Sequence, residues 1–132
     1  MGKAAAKEIN IPNLLKIGAG TLDYTGEYLK GLGLTKVVIL FGNGLIDMFG
    51  DKVMTSLKRA EVEVLEYQEL DTVCIDDLIR LAFTMPNKAQ AVIGLGGGKV
   101  IDAAKYCGFL RNIPFFSVPT SSSSDGFSSS SA

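Results

Sequence analysis

The chain has 132 residues, 47% of them hydrophobic, with 13 basic residues against 14 acidic ones and no histidine. That length suits one domain, and the near-neutral balance with no basic stripe excludes a nucleic-acid footprint. Apolar runs fall short of the ~20 residues of a membrane span, and without histidine a Ser-His-Asp triad, a Cys-His pair or a His-ligated metal cannot be built from these residues.

Met1 to Glu8 is rich in alanine and lysine and lacks the apolar core of a signal peptide. Residues 1–10 read as an extension, added or frayed, ahead of a domain over 11–132. Leu14 to Gly20 reads as a short extended piece. Thr21 is placed to cap a helix carrying Leu22, Leu29 and Leu32, which Gly33 ends. Lys36 to Phe41, KVVILF, is a strand buried on both faces, closed by Gly42-Asn43-Gly44. Ile46, Phe49, Val53, Leu57 and Ala60 then share one helical face.

Val62, Val64 and Tyr67 against Glu61, Glu63 and Glu66 suggest a strand nearer an edge. Asp76 is placed to cap a helix in which Ile79, Ala82 and Phe83 share a side and which Pro86 ends. Ala91-Val92-Ile93 leads into glycines at 94, 96, 97 and 98. A helix comes next, burying Val100, Ile101, Ala104, Cys107 and Leu110. Ile113 to Val118 is the last strand. Cys74 and Cys107 read as buried thiols, which together with the absent signal peptide points to a reduced, cytoplasmic protein.

Strands separated by helices imply an α/β fold, a doubly wound and mostly parallel sheet covered on both faces. If the 36–41 strand lies beside 90–94, with 62–67 outside the first and 114–118 outside the second, the strand order reverses between the two central strands. A ligand then binds beyond their carboxyl ends, where the turns 42–44 and 94–98 face each other.

The strand–glycine–helix order brings backbone N–H groups against a phosphate. It is not a P-loop, because Ile93 stands where the first glycine belongs and Val100 where the hydroxyl belongs. The dinucleotide fingerprint fits Gly94 and Gly96 but meets Lys99 at its third glycine. Lys99 can put an ammonium on a phosphate or ribose oxygen. Asp102 and Lys105 share a side of the helix, as a surface ion pair or, for Asp102, as a first-turn carboxylate beside the ligand. The serine-rich SVPTSSSSDGFSSSSA leaves the last strand on the ligand side. It is either low-complexity chain or a source of hydroxyls for a nucleotide.

GLGGGKVIDAAK followed by VPTSSSSDG resembles the iron- or zinc-containing polyol dehydrogenases, namely the glycerol dehydrogenases and, more closely, the sn-glycerol-1-phosphate dehydrogenases. IPNLLKIGAGTLDYTGEYLKGLG and KVVILFGNG are similar to that family's N-terminal region, so the resemblance spans Ile11 to Ala132. It implies a Rossmann-like domain for NAD or NADP. Gly97, Gly98, Lys99 and Asp102 would hold the pyrophosphate and nicotinamide ribose, with Gly42, Asn43 and Gly96 in the facing turns. Thr120, Ser123 and Ser129 would add nucleotide contacts, and Asp125 would touch substrate. Many relatives have histidine where this chain has Ser124. Gly42-Asn43 lacks the acidic residue that NAD-selective members place after this strand, so both cofactors are expected.

In that family a second, helical domain carries the ligands of a divalent metal (zinc, iron or nickel). The resemblance therefore implies no metal ligand and no catalytic residue in this chain, which alone is expected to be inactive. Its partners would be the nucleotide and, in the parent enzyme, a polyol or polyol phosphate. An apolar face that the second domain would cover is open to self-association. Two other readings stand beside this one: a dehydroquinate synthase-like lyase fragment, whose D-S-x-x-G-G-K run is not matched here, and a ligand-free, engineered α/β module.

Overall fold

The computed structural model describes residues 21–72 and 74–120. The extended piece at 14–20, the extension over 1–10, and Ser123, Asp125 and Ser129 lie outside them. The elements, in order, are α1 (Thr21–Gly31), β1 (Lys36–Gly42), α2 (Leu45–Arg59), β2 (Glu63–Leu70), α3 (Ile75–Thr84), β3 (Ala91–Gly96), α4 (Gly98–Arg111) and β4 (Phe115–Pro119). The strands form one sheet in the order β2-β1-β3-β4, with every pairing parallel. This is the order the sequence predicts, with the reversal between β1 and β3.

The unbroken apolar run of β1 places it at the centre, where Val37 to Phe41 are all fully buried. Alternate residues serve opposite layers. Val37, Ile39 and Phe41 pack with Leu22, Leu29, Val53 and Leu57 of α1 and α2. Val38 and Leu40 pack with Leu81, Ala82, Val100, Ala104 and Cys107 of α3 and α4. Each fully buried aliphatic side chain stabilises the fold by roughly 1.5–3 kcal/mol, so both layers depend on one sheet.

At β2 the register shifts: Val37 pairs with Val64, but Val38 pairs with Glu66, leaving Leu65 as an extra residue. Val64 packs into the α1/α2 layer and Leu65 into the α3/α4 layer. Beyond the bulge Tyr67 returns to the first side, where its ring stands edge-on to Phe41 with centroids 6.4 Å apart. The bulge thereby lets residues 64 and 67, an odd number apart, share a face.

Four local expectations are corrected. Asp76 lies in the first turn of α3, whose N-cap is Cys74. The buried side of α3 is Leu78, Leu81 and Ala82 with Met85 beyond it, while Phe83 is 68% exposed. The helix carries two apolar stripes, and periodicity cannot choose the one that meets a sheet. Leu32 comes after α1 and is exposed, because the helix stops at Gly31. Cys74 is an exposed thiol; only Cys107 is buried.

Candidate functional site

The carboxyl ends of β1 and β3 meet through glycine. Gly96, at φ 146°, adopts a backbone conformation that other residues rarely take. A Cβ there would stand 2.8 Å from Val100 Cγ1 and 3.3 Å from Gly42 Cα. Gly94 matters for a different reason. Its Cβ would reach 2.7 Å from Ala104 Cβ and 3.1 Å from the Val100 carbonyl oxygen, so its bareness lets α4 rest on β3.

Gly97 and Gly98 have neither reason. Neither has a positive φ, and a Cβ on either would meet nothing within 4 Å among the described residues. Gly97 is the N-cap of α4 and makes no side-chain cap hydrogen bond, and the first turn carries no acidic residue. The start of α4 is therefore bare backbone with donors pointing out of the helix, at its positive end. Lys99, beside it, is exposed.

Neighbouring elements bring two further sequence-predicted residues to this crest. Pro119 pairs with Gly96 in the β3–β4 register. Thr120, the next residue, continues the ladder, its N–H donating to the Gly96 carbonyl at 3.3 Å. Across β1, exposed Asn43 sits between Gly42 and Gly44, the latter at φ 78° as the N-cap of α2. Gly42, Asn43, Gly96, Gly97, Gly98, Lys99 and Thr120 thus gather at one end of the sheet.

Asp102 is not in the first turn of α4 as expected. It lies beyond that turn, exposed, and lines a groove of about 400 Å³ with Lys105, Tyr106, Phe109 and Ile113 to Phe115. Asp102 and Lys105 form no ion pair with each other among the described residues. The helix starts at Gly98, after the glycine turn, and that start puts position 102 one residue too deep.

One residue of the crest escapes the sequence reading. The Gly44 N–H donates to Glu69 Oε2 at 2.6 Å. Glu69 stands at the carboxyl end of β2, which runs on to Leu70 where alternation suggested a stop at 67. From Glu69 a cleft of about 330 Å³ extends past Asp71 and Asp77 to Arg80 and Thr84 of α3. Gln68-Glu69-Leu70, polar, polar and apolar, breaks the apolar–polar alternation, so no local pattern announces the longer strand. Among the described residues no three His, Cys, Asp or Glu side chains gather as a metal site. The backbone N–H groups and the Lys99 ammonium at the crest are not ligands for a divalent metal.

Known proteins resemble this chain over most of its length. Glycerol-1-phosphate dehydrogenase (NAD(P)+) from Thermofilum pendens is 34% identical over 119 residues, covering 90% of this chain and 34% of that protein. Its counterpart from Methanobrevibacter smithii is 34% identical over 121 residues, covering 91% and 34%. The chain thus spans about a third of the length of these curated relatives. Among solved structures, glycerol dehydrogenase from Schizosaccharomyces pombe superposes with a TM-score of 0.65 at 25% identity, over 79% of this chain and 27% of that one. NADH-dependent butanol dehydrogenase A from Thermotoga maritima gives 0.59 at 32% identity, over 74% and 25%. The sequence matches the family of iron-containing alcohol dehydrogenases over residues 16–132. The chain belongs to that family, with the glycerol-1-phosphate and glycerol dehydrogenases as its relatives.

Proposed function

We propose that the crest between β1 and β3 binds NAD(P), and that the chain is the nucleotide-binding part of a dehydrogenase acting on glycerol phosphate/dihydroxyacetone phosphate or glycerol/dihydroxyacetone. The observation that carries this reading is the pair Gly97 and Gly98. Internal packing accounts for Gly94 and Gly96, whereas at 97 and 98 no neighbour and no backbone angle calls for glycine. Among the described residues the space around them is open, at a helix start without a side-chain cap, which suits close approach by a phosphate.

In this reading the N–H groups of the first α4 turn hold the diphosphate, and Lys99 adds a cation beside it. Thr120 stands over β4 for the nicotinamide half, and the 42–44 turn for the adenosine half. The dinucleotide, when bound, supplies the hydride chemistry. Binding by backbone donors fixes its position without neutralising a side chain. Asp125 is the substrate contact that the resemblance implies. The chain by itself, without histidine, is proposed to have little or no activity. Metal-stimulated reduction of dihydroxyacetone phosphate by the purified 132-residue chain would refute that part.

The binding site is tested with Gly97→Val. Position 97 has φ −94° and open space around it among the described residues, so valine fits without a clash and costs only its poorer N-cap, about 1 kcal/mol. Affinity for NADH and NADPH, measured by calorimetry, is expected to drop at least about tenfold, as loss of one or more charged hydrogen bonds requires. Undiminished affinity in that variant would place the nucleotide elsewhere.

A further inference from the structure

We infer that Glu69 selects the cofactor, accepting a hydroxyl of the adenosine ribose and rejecting a 2′-phosphate, so that this chain prefers NAD(H) to NADP(H). The inference rests on the dinucleotide reading above and goes beyond it, since the 42–44 turn alone offers no acidic residue to discriminate between the two cofactors.

β1 stands between β3 and β2. A dinucleotide whose diphosphate lies on Gly97 and Gly98, with one half toward Thr120, passes its other half over Gly42–Gly44 toward the end of β2. Two strand spacings cover that path, roughly 10 Å. The carboxylate of Glu69 is held there, 2.6 Å from the Gly44 nitrogen.

That hydrogen bond has two effects. The Gly44 N–H, at the start of α2, is the donor a 2′-phosphate would use on this side of the crest. Glu69 already engages it with one oxygen. The bond also fixes the carboxylate, so that its other oxygen is an oriented acceptor for a ribose hydroxyl. A hydroxyl donates to it, whereas a 2′-phosphate offers only oxygens of like charge. The cleft beyond reinforces the same sign. Glu69, Asp71 and Asp77 face one cation, Arg80, whose Nη1 lies 3.4 Å from Asp77 Oδ1. A phosphate carrying about −1.5 to −2 charges meets three carboxylates and one arginine already turned to one of them. General dinucleotide-binding logic places a ribose-binding acid at the end of a strand next to the phosphate turn. Here the acid comes from β2, and it reaches the crest through the turn of β1.

The test is equilibrium titration of the 132-residue chain with NADH and with NADPH, for the unmodified protein, Glu69→Gln and Glu69→Lys. Glu69 is exposed, and circular dichroism should give the same spectrum for all three. Glutamine keeps an acceptor for Gly44 and removes only the charge. The unmodified chain is expected to bind NADH about tenfold or more tightly than NADPH, the scale of one charge-assisted hydrogen bond. Glu69→Gln is expected to bring the two within about threefold of each other, and Glu69→Lys to reverse the preference. Equal binding of both cofactors by the unmodified chain, or a ratio unmoved by both variants, overturns the role of Glu69 and leaves the dinucleotide site standing. Binding of neither cofactor overturns the site and the role of Glu69 together.

Discussion

Cys74 and Cys107 are thiols of opposite reactivity. Cys107 is fully buried against Leu78, whose carbonyl oxygen is 3.9 Å from its Sγ. Burial pushes its thiol up from 9.0 to about 11. Cys74 is exposed at the start of α3. A thiol reagent at neutral pH should therefore label Cys74 at once and Cys107 only on unfolding; two rapidly labelled thiols would contradict the packing of α4. Because the folded thiol holds its proton more tightly than the unfolded one, its contribution to stability is complete below pH 9.0 and is lost as pH rises toward about 11. Denaturant midpoints measured across that range should fall, and Cys107→Ser should flatten the fall. At this scale the sequence was legible wherever spacing alone carries meaning. The glycine cluster stands out from its neighbours in any reading. The division of labour within it does not, because Gly94 and Gly98 differ only in what lies opposite their missing Cβ. Glu69 was hidden for a related reason: its partner, Gly44, is distant in sequence and comes close only through the β1–β2 pairing.

Helix ends and helix contacts decide more than helix propensities do. α1, α2 and α4 end in the same way: a residue with positive φ, namely Gly33, Glu61 and Asn112, comes after the last turn. The next residue donates back into the helix, Leu34 to Leu29, Val62 to Leu57 and Ile113 to Gly108. α3 has no such cap. Arg111 of α4 replaces it, donating to the carbonyls of Ala82 and Met85 at 2.8 and 3.0 Å and to that of Pro86 at 3.1 Å. Arg111→Ala should destabilise the fold by about 2–3 kcal/mol, read from denaturant unfolding, because charged hydrogen bonds are lost and carbonyls are left unmet. A loss under half a kcal/mol would mean water replaces the guanidinium. Two contacts tie α1 to α2 and the residues just past it, and they differ in weight. At Gly26 a Cβ would stand within the van der Waals shell of the Ser56 carbonyl, and the Gly26 N–H donates to Ser56 Oγ at 3.0 Å. Lys30 pairs with Glu61 at 2.8 Å, but both side chains are exposed, even though the lysine holds the Glu61 carboxyl below its usual range. Gly26→Ala should therefore cost about 1–3 kcal/mol by overpacking, and Lys30→Ala much less, less still in high salt. The reverse ranking would show that charge rather than close packing holds α1. Glycine inside a helix is ordinarily a weakness; at position 26 the partner on α2 makes it a requirement.

The strand order of the whole sheet could be read because right-handed crossovers and buried-strand patterns leave few arrangements. The choice of faces on α3 could not, since both of its stripes are apolar and only the assembled sheet selects one. Both layers rest on alternate residues of the same strands, so they should melt together. Ile39→Ala and Leu40→Ala open cavities on opposite sides of the sheet. Each should cost about 2–5 kcal/mol within one cooperative transition; separate transitions for the two variants would show the layers to be independent. The pairing of β1 with β3 has a further consequence for the chain during its synthesis. Val37 meets Ala91 and Phe41 meets Leu95, so the most apolar strand waits for a partner made 54 residues later. At about 5–20 residues per second, that is roughly 3–11 s in which KVVILF has left the ribosome with one side of its hydrogen-bonding ladder unmet. For that interval the centre of the finished sheet is the segment of the nascent chain most in need of a chaperone.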